Sequence, residues 1–461
     1  MKMLARFKLL TYLFVALSFV GCEPENEDTT TYFGGKIINP RGKYVVLFEN
    51  EKAIDTFYLN NHNKFLGEIN NLKEGLFVFK HGPEHQYLYL EPNDSILIRL
   101  NTWDFDESLV FSGKGAKRNN LLIDCFLDTE KDDKFFRNLY SLSPTQFKNK
   151  VRALEKQKKQ RLKELLSRFE NESNDFKTLL EISLTYPVYR RLENYPLVHH
   201  EMMRETMNEK IDDDFFDHRS TIDYKKDSIM YYSAYRDYIV SYLYNITNNS
   251  GHKMYSDKFT TELLNIIDKH FESESTRNTL LRQTVISHFY RKSSCDVNND
   301  AFNTFLKLTS NNEDVKLVKR LLNDIRTLHK GKKLTDFQIT DLNNSKHSIK
   351  SITKGKDVVL YFWNTKYISK DYLYSKVNYF AKKYPNVEFI GVQIDGKNKD
   401  YIKKLDIKSQ YYVDADSKAN AFLTSKLPRT VLINKKGIVV NAYASLSSQN
   451  IYNQVATLAQ N

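Results

Sequence analysis

Three groups of side chains in this sequence have the types that chemistry uses. The first is the cysteines, Cys22, Cys125 and Cys295. Thiol–disulfide exchange needs one thiolate to attack and a second thiol to resolve the mixed disulfide, so a redox centre needs two cysteines brought together. Cys125 lies in the apolar run Leu121-Leu122-Ile123-Asp124-Cys125-Phe126-Leu127 and reads as a buried structural thiol. Cys295 lies in the polar run Lys292-Ser293-Ser294-Cys295-Asp296. A bridge between these two is open in an oxidising compartment, and sequence does not decide it. The second group is His199-His200, followed by Met202 and Met203. Adjacent helical residues point about 100° apart, so this pair reads as part of a surface helix and not as a metal site. The third is Asp212-Asp213-Asp214 with Asp217 and His218. It lacks the glycine turn and distal glutamate of a calcium loop and reads as a solvated acidic turn, so no metal ligand is assigned.

The element with the strongest positional signal lies elsewhere, in Lys356–Lys370, KDVVLYFWNTKYISK. Val358 to Trp363 is a continuous run of β-branched, aromatic and aliphatic residues, the pattern of a strand buried on both faces. Leu373, Val377, Phe380 and Tyr384 then recur at helical spacing. Strand, short turn and helix make half of a βαβ unit.

These residues resemble the active-site segment of the thioredoxin superfamily, in particular the TlpA-like (redoxin) lipoproteins, which read F-W-A-x-W-C-x-x-C at this point. Here the chain reads Phe362-Trp363-Asn364-Thr365-Lys366-Tyr367-Ile368-Ser369-Lys370. The resemblance places Tyr367 and Lys370 at the two redox-cysteine positions. It places Tyr361 where thioredoxins often bury an acid that assists proton transfer. A phenol and an ammonium cannot perform thiol chemistry. Downstream, Lys333–Ile339 is similar to the family's P-D-F-x-L opening, with Thr335 in place of proline. Leu427-Pro428-Arg429-Thr430-Val431 followed by Lys435-Lys436-Gly437 is similar to its cis-proline loop, strand and turn, which assigns Pro428 to that loop. The resemblance implies an α/β thioredoxin-like fold over residues 331–461, no cofactor, and a degenerate redox site with no catalytic residue.

Met1 to Gly21 has a basic start and an apolar stretch from Leu9 to Val20, too short for a spanning helix and suited to a signal peptide. Phe19-Val20-Gly21-Cys22 resembles a bacterial lipoprotein cleavage box, which makes Cys22 the lipidation site and anchors the chain to a membrane. Residues 22–30 are acidic and polar and read as a tether. From 31 to 115 short alternating segments separated by Asn, Gly and Pro turns predict an antiparallel β-sandwich. Seven strands are expected there, the first at Lys43–Glu49. Its turns Glu91-Pro92-Asn93-Asp94-Ser95 and Phe111-Ser112-Gly113-Lys114-Gly115 resemble those of the β-domain that TlpA-like lipoproteins carry. From 116 to 330 the period is helical, with Ser143-Pro144 as a cap and first-turn pair, and Tyr186-Pro187 and Tyr195-Pro196 expected to interrupt helices.

The whole is a multidomain chain: N-terminal antiparallel β-sandwich, central all-α region, C-terminal α/β domain. Its 461 residues suffice for two to four domains. The net charge of +12 falls to +9 without the first 21 residues and is spread over lysines, with no basic block, which argues against nucleic acid as a partner. The expected partners are the membrane, through the N-terminal lipid, and an envelope protein or peptide; the expected location is the cell envelope, periplasmic or at the outer-membrane surface. The functional reading is a binding or scaffolding module. The alternative is a redoxin-type thiol–disulfide oxidoreductase, which needs Cys125 or Cys295 brought to the Pro428 loop. A third reading makes the β-domain and helices the working part and the C-terminal domain a remnant.

Overall fold

The apolar run Val358–Trp363 forms a strand, Asp357–Trp363, in the interior of the largest sheet. The structure is a computed structural model that describes residues 29–50, 52–203, 211–292, 299–364, 368–394, 402–403, 405–414, 416–421 and 429–460. N-terminal sheets, a central helical region and a C-terminal α/β region follow one another along the chain. By packing the chain divides into two compact units, Met1–Asp128 with Glu172–Lys177, and Thr129–Asn171 with Thr178–Asn461.

The first unit is built on eight strands: β1 (Thr30–Ile38), β2 (Tyr44–Glu49), β3 (Lys52–Tyr58), β4 (Lys64–Asn70), β5 (Gly75–His81), β6 (Glu84–Leu90), β7 (Ser95–Asn101) and β8 (Val110–Lys114). They form two four-stranded sheets, ordered β4-β1-β7-β8 and β3-β2-β5-β6. Alternate residues of both sheets, among them Phe33, Leu47, Phe79, Leu88, Ile98 and Phe111, share one buried core. Pairing is antiparallel except between β1 and β7, which run parallel. The sequence reading missed β1 because Gly34-Gly35 breaks its alternation. The glycines are there for close approach: a Cβ on Gly34 would lie 2.7 Å from the Phe65 carbonyl oxygen. The two turns singled out by sequence meet. A Cβ on Gly115 would sit 2.6 Å from the Asp94 carboxylate, which receives Arg118 Nη2 at 2.6 Å.

In the second unit the helices are α1 (Ala116–Phe136, whose last turns belong here), α2 (Pro144–Arg168), α3 (Asn174–Met203), α4 (Ser233–Asn248), α5 (Asp257–His270), α6 (Glu274–Lys292), α7 (Asp300–Leu308) and α8 (Asn312–Thr327). Ser143 caps α2 in a reciprocal capping box with Gln146, and Pro144 fills the first turn. The expected breaks at Pro187 and Pro196 do not occur; α3 runs through both. A helix-interior proline costs about 3 kcal/mol. That cost is offset by complete burial of Val188, Leu192 and Tyr195, each large apolar side chain contributing ~1.5–3 kcal/mol.

The interior of α3 also carries a charge that sequence did not flag. Glu193 is fully buried and its carboxylate receives Arg219 Nε at 2.8 Å, Arg219 Nη2 at 2.6 Å and Asn245 Nδ2 at 2.8 Å, with His218 Nε2 3.0 Å away. Burial opposes its ionisation, but the hydrogen bonds and charges of Arg219 and His218 outweigh that and hold its carboxyl below the ordinary range. The folded value lies below the unfolded one, so the stabilisation is complete above the ordinary value of 4.5 and is lost as pH falls through the folded value. Thermal melts from about pH 6 down to about pH 3 are expected to show falling stability, with a shallower decline in a Glu193→Gln variant that is already weakened at neutral pH.

Candidate functional site

The C-terminal region of the second unit is a seven-stranded sheet ordered β10-β9-β13-β12-β11-β14-β15, where β9 is Gln338–Asp341, β10 Lys346–Ser348, β11 Asp357–Trp363, β12 Val387–Gln393, β13 Gln410–Tyr412, β14 Arg429–Ile433 and β15 Val439–Ala444. The interior strand β11 pairs parallel with β12 and antiparallel with β14. Every residue from Val358 to Trp363 is buried, because both faces are covered. Val358, Leu360 and Phe362 meet one core, which includes Ile349 of the short helix α9 (Ile349–Thr353). Val359, Tyr361 and Trp363 meet the other, formed with Leu373, Val377 and Phe380 of α10 (Lys370–Lys383) and Ile451, Val455 and Leu458 of α11 (Ile451–Ala459).

The candidate site is where β11 passes into α10. Asn364 and Ile368 are buried, and Ile368 N donates to Asn364 O at 3.3 Å. Ser369 caps α10 by accepting from Tyr372 N at 3.3 Å. Lys370 is the first helical residue. Lys370, which the family resemblance sets at the second redox-cysteine position, therefore stands at a helix N-terminus, where the dipole favours an anion and disfavours an ammonium. Tyr367, Pro428, Cys22 and Cys295 lie outside the described residues.

Beneath the turn is a buried polar cluster on the α10 face of the sheet. Tyr361 is fully buried and its hydroxyl accepts from Gln410 Nε2 at 2.6 Å. Burial raises the phenol far above its ordinary value, and the hydrogen bond from Gln410 only partly opposes this. Both groups are therefore uncharged at physiological pH. Gly391 makes room for it: a Cβ there would fall 2.4 Å from the Gln410 amide and 2.6 Å from the Tyr361 hydroxyl. Gln393, opposite Trp363 in the β11–β12 register, is fully buried with neither amide atom hydrogen-bonded, and Thr430 Oγ1 is likewise buried and unbonded.

Arg429 opens β14 immediately after Pro428 and is 3% exposed. Its guanidinium forms an ion pair with Asp324 of α8, donates from Nε to Ala442 O at 2.9 Å, and lies 4.2 Å over the ring of Tyr443. Tyr443 in turn meets the Phe289 ring of α6 edge-on at 6.1 Å. The strand that follows the proline loop is thus held by the helical region, a contact between residues 105 apart in sequence.

A thioredoxin-like family model matches residues 355–439, which span β11, the turn, α10 and β14. The C-terminal domain is thioredoxin-like. Solved structures with a similar fold include a candidate thiol-disulfide oxidoreductase from Bacteroides vulgatus, 25% identical over 29% of this chain and 98% of that one, TM-score 0.25. A candidate thiol:disulfide interchange protein DsbE from Chlorobium tepidum is 18% identical over 29% and 99%, TM-score 0.25. A thiol:disulfide interchange protein from a Bacteroides species is 21% identical over 29% and 93%, TM-score 0.24. No curated protein matches the chain.

The other sequence candidates are structural parts of the helical region. His199 is buried, with Nδ1 2.7 Å from Tyr140 O and its ring stacked on Tyr195, which corrects the surface reading for this residue; His200 is exposed. The acidic turn disperses: Asp214 pairs with Lys148 at 2.5 Å, Asp217 with Arg152, and His218 is buried against Glu193. Among the described residues no three His, Cys, Asp or Glu side chains are grouped to hold a metal ion. Cys125 is 2% exposed in α1. Removing Asp324 leaves a guanidinium buried without its carboxylate, a change that typically costs about 3–5 kcal/mol. Urea unfolding of Asp324→Ala is expected to show a loss of that order, and Asp324→Leu/Arg429→Met to recover most of it; a loss under about 1 kcal/mol for the single variant contradicts the assignment.

Proposed function

We propose that the chain is a lipid-anchored cell-envelope protein whose thioredoxin-like domain is a binding or scaffolding module, with its thiol–disulfide chemistry lost. The observation that carries this reading is the buried, neutral Tyr361–Gln410 pair at the position where the resembled family keeps a proton-transferring acid, in a domain whose sequence from 331 to 461 contains no cysteine. Loss of the dithiol alone is a change at two positions. Filling the space behind it with Tyr361, Gln410 and a glycine at 391 commits the interior as well. Cys125 offers no substitute centre, since reactive thiols are partly exposed in electropositive surroundings and this one is buried in an apolar helix face.

The binding face would be the one that the family resemblance assigns to Tyr367, Lys370 and Pro428. Partners are extended peptides or envelope proteins, with Tyr367 supplying an aromatic contact and Lys370 a charge. Cys22 supplies the anchor. Among the described residues no helix is long and apolar enough to cross a membrane.

Two changes test the two halves of this reading. Cys22→Ala is expected to move the protein from the membrane fraction to the soluble fraction; retention at the membrane removes the anchor. Tyr367→Cys/Lys370→Cys is expected to gain a dithiol that oxidises reversibly to an intramolecular disulfide, since positions three apart at a helix N-terminus are within bridging reach. A folded variant whose new cysteines never pair shows that these are not the degenerate redox positions.

A further inference from the structure

The central helical region encloses a cavity of about 390 Å³ between α3, α4, α5 and α6, within the size range of small-ligand sites. Its walls are mainly aliphatic, with Leu197, Val240, Leu243, Leu263, Ile267 and Leu280 contributing. One face of α6 grades along it, from buried Leu280 through Thr284 and Ser287 to exposed Arg291. Eleven residues of helix span roughly 16 Å. The wall therefore runs from an apolar floor to a cationic rim.

The rim is preorganised. Arg291 lies 3.7 Å over the ring of Tyr255, and its Nε donates to Ser287 Oγ at 3.4 Å. Among the described residues it makes no ion pair, so its charge is available. Tyr255 holds a left-handed backbone, φ +63, which a bulky residue adopts only at a cost that its surroundings must sustain. That conformation sets its ring on the cavity wall beneath the guanidinium and beside Tyr244, ring centroids 6.0 Å apart. Glu201 also reaches the lining, but it is exposed and no contact fixes it, so it is not preorganised to receive a cation.

We propose that this cavity is a binding site for a small amphiphile with an aliphatic chain and one carboxylate, the chain lying along the α6 face and the carboxylate on Arg291. The site is separate from the thioredoxin-like turn and does not depend on how that turn functions.

The test is isothermal titration of the full chain with decanoate, and with decyltrimethylammonium as the same chain bearing the opposite charge. Decanoate is expected to bind saturably at one site. Arg291→Ala, a change at an exposed residue, is expected to weaken it about tenfold, and Arg291→Lys to retain part of the affinity. Absence of saturable decanoate binding up to about 1 mM overturns the proposal. So does unchanged affinity in Arg291→Ala, or tighter binding of the ammonium.

Discussion

The ion pair between Arg429 and Asp324 is the constraint on which the thioredoxin-like domain's setting depends. Both groups are buried, and a buried charge is tolerated only when its partner is present and its remaining donors are engaged. Arg429 engages one carboxylate from α8, one carbonyl from β15 and the aromatic face of Tyr443. Each of these fixes a different element relative to β14. The strand after the proline loop is consequently not an edge that the domain positions alone. It is held from outside by a helix of the preceding region, and the two belong to one compact unit.

The interior behind the turn follows a similar logic with the opposite sign. A redox thioredoxin fold needs a group there that can gain and lose a proton. This chain places a phenol, a primary amide and a glycine there, and fits them together by close approach over Gly391. The result is polar and uncharged. Among the described residues, buried side-chain atoms of Gln393, Gln410 and Thr430 have no hydrogen-bond partner, and such groups call for a reason beyond packing.

Much of this was legible from local signals. The apolar run of β11 announced a strand covered on both faces, and the Ser143-Pro144 pair announced a helix start. Asn, Gly and Pro turns separated the sandwich strands correctly from β2 onward. What was not legible came from contacts distant in sequence. The Glu193 cluster draws on α3, the 213–221 turn and α4, so no spacing betrays it. Its signal was a glutamate set between Leu192 and Tyr195, residues that the fold buries. Asp324 gave a similar signal, an acid on the stripe of Val318, Leu321 and Leu328. Pro187 and Pro196 misled because local cost was weighed without the tertiary burial that offsets it, and β1 was lost because Gly34-Gly35 hides alternation that close packing requires. Tyr361 belongs to the legible apolar run of β11, but its partner Gln410 is 49 residues away and only the fold joins them.

The most direct measurement is insulin-disulfide reduction by the full chain in dithiothreitol, beside a Cys125→Ser/Cys295→Ser variant. The account predicts rates at background for both, since the thioredoxin-like domain holds neither the thiols nor the proton-transfer group. A rate clearly above background in the wild type that disappears in the double variant contradicts it, and makes the chain an oxidoreductase with a relocated redox centre.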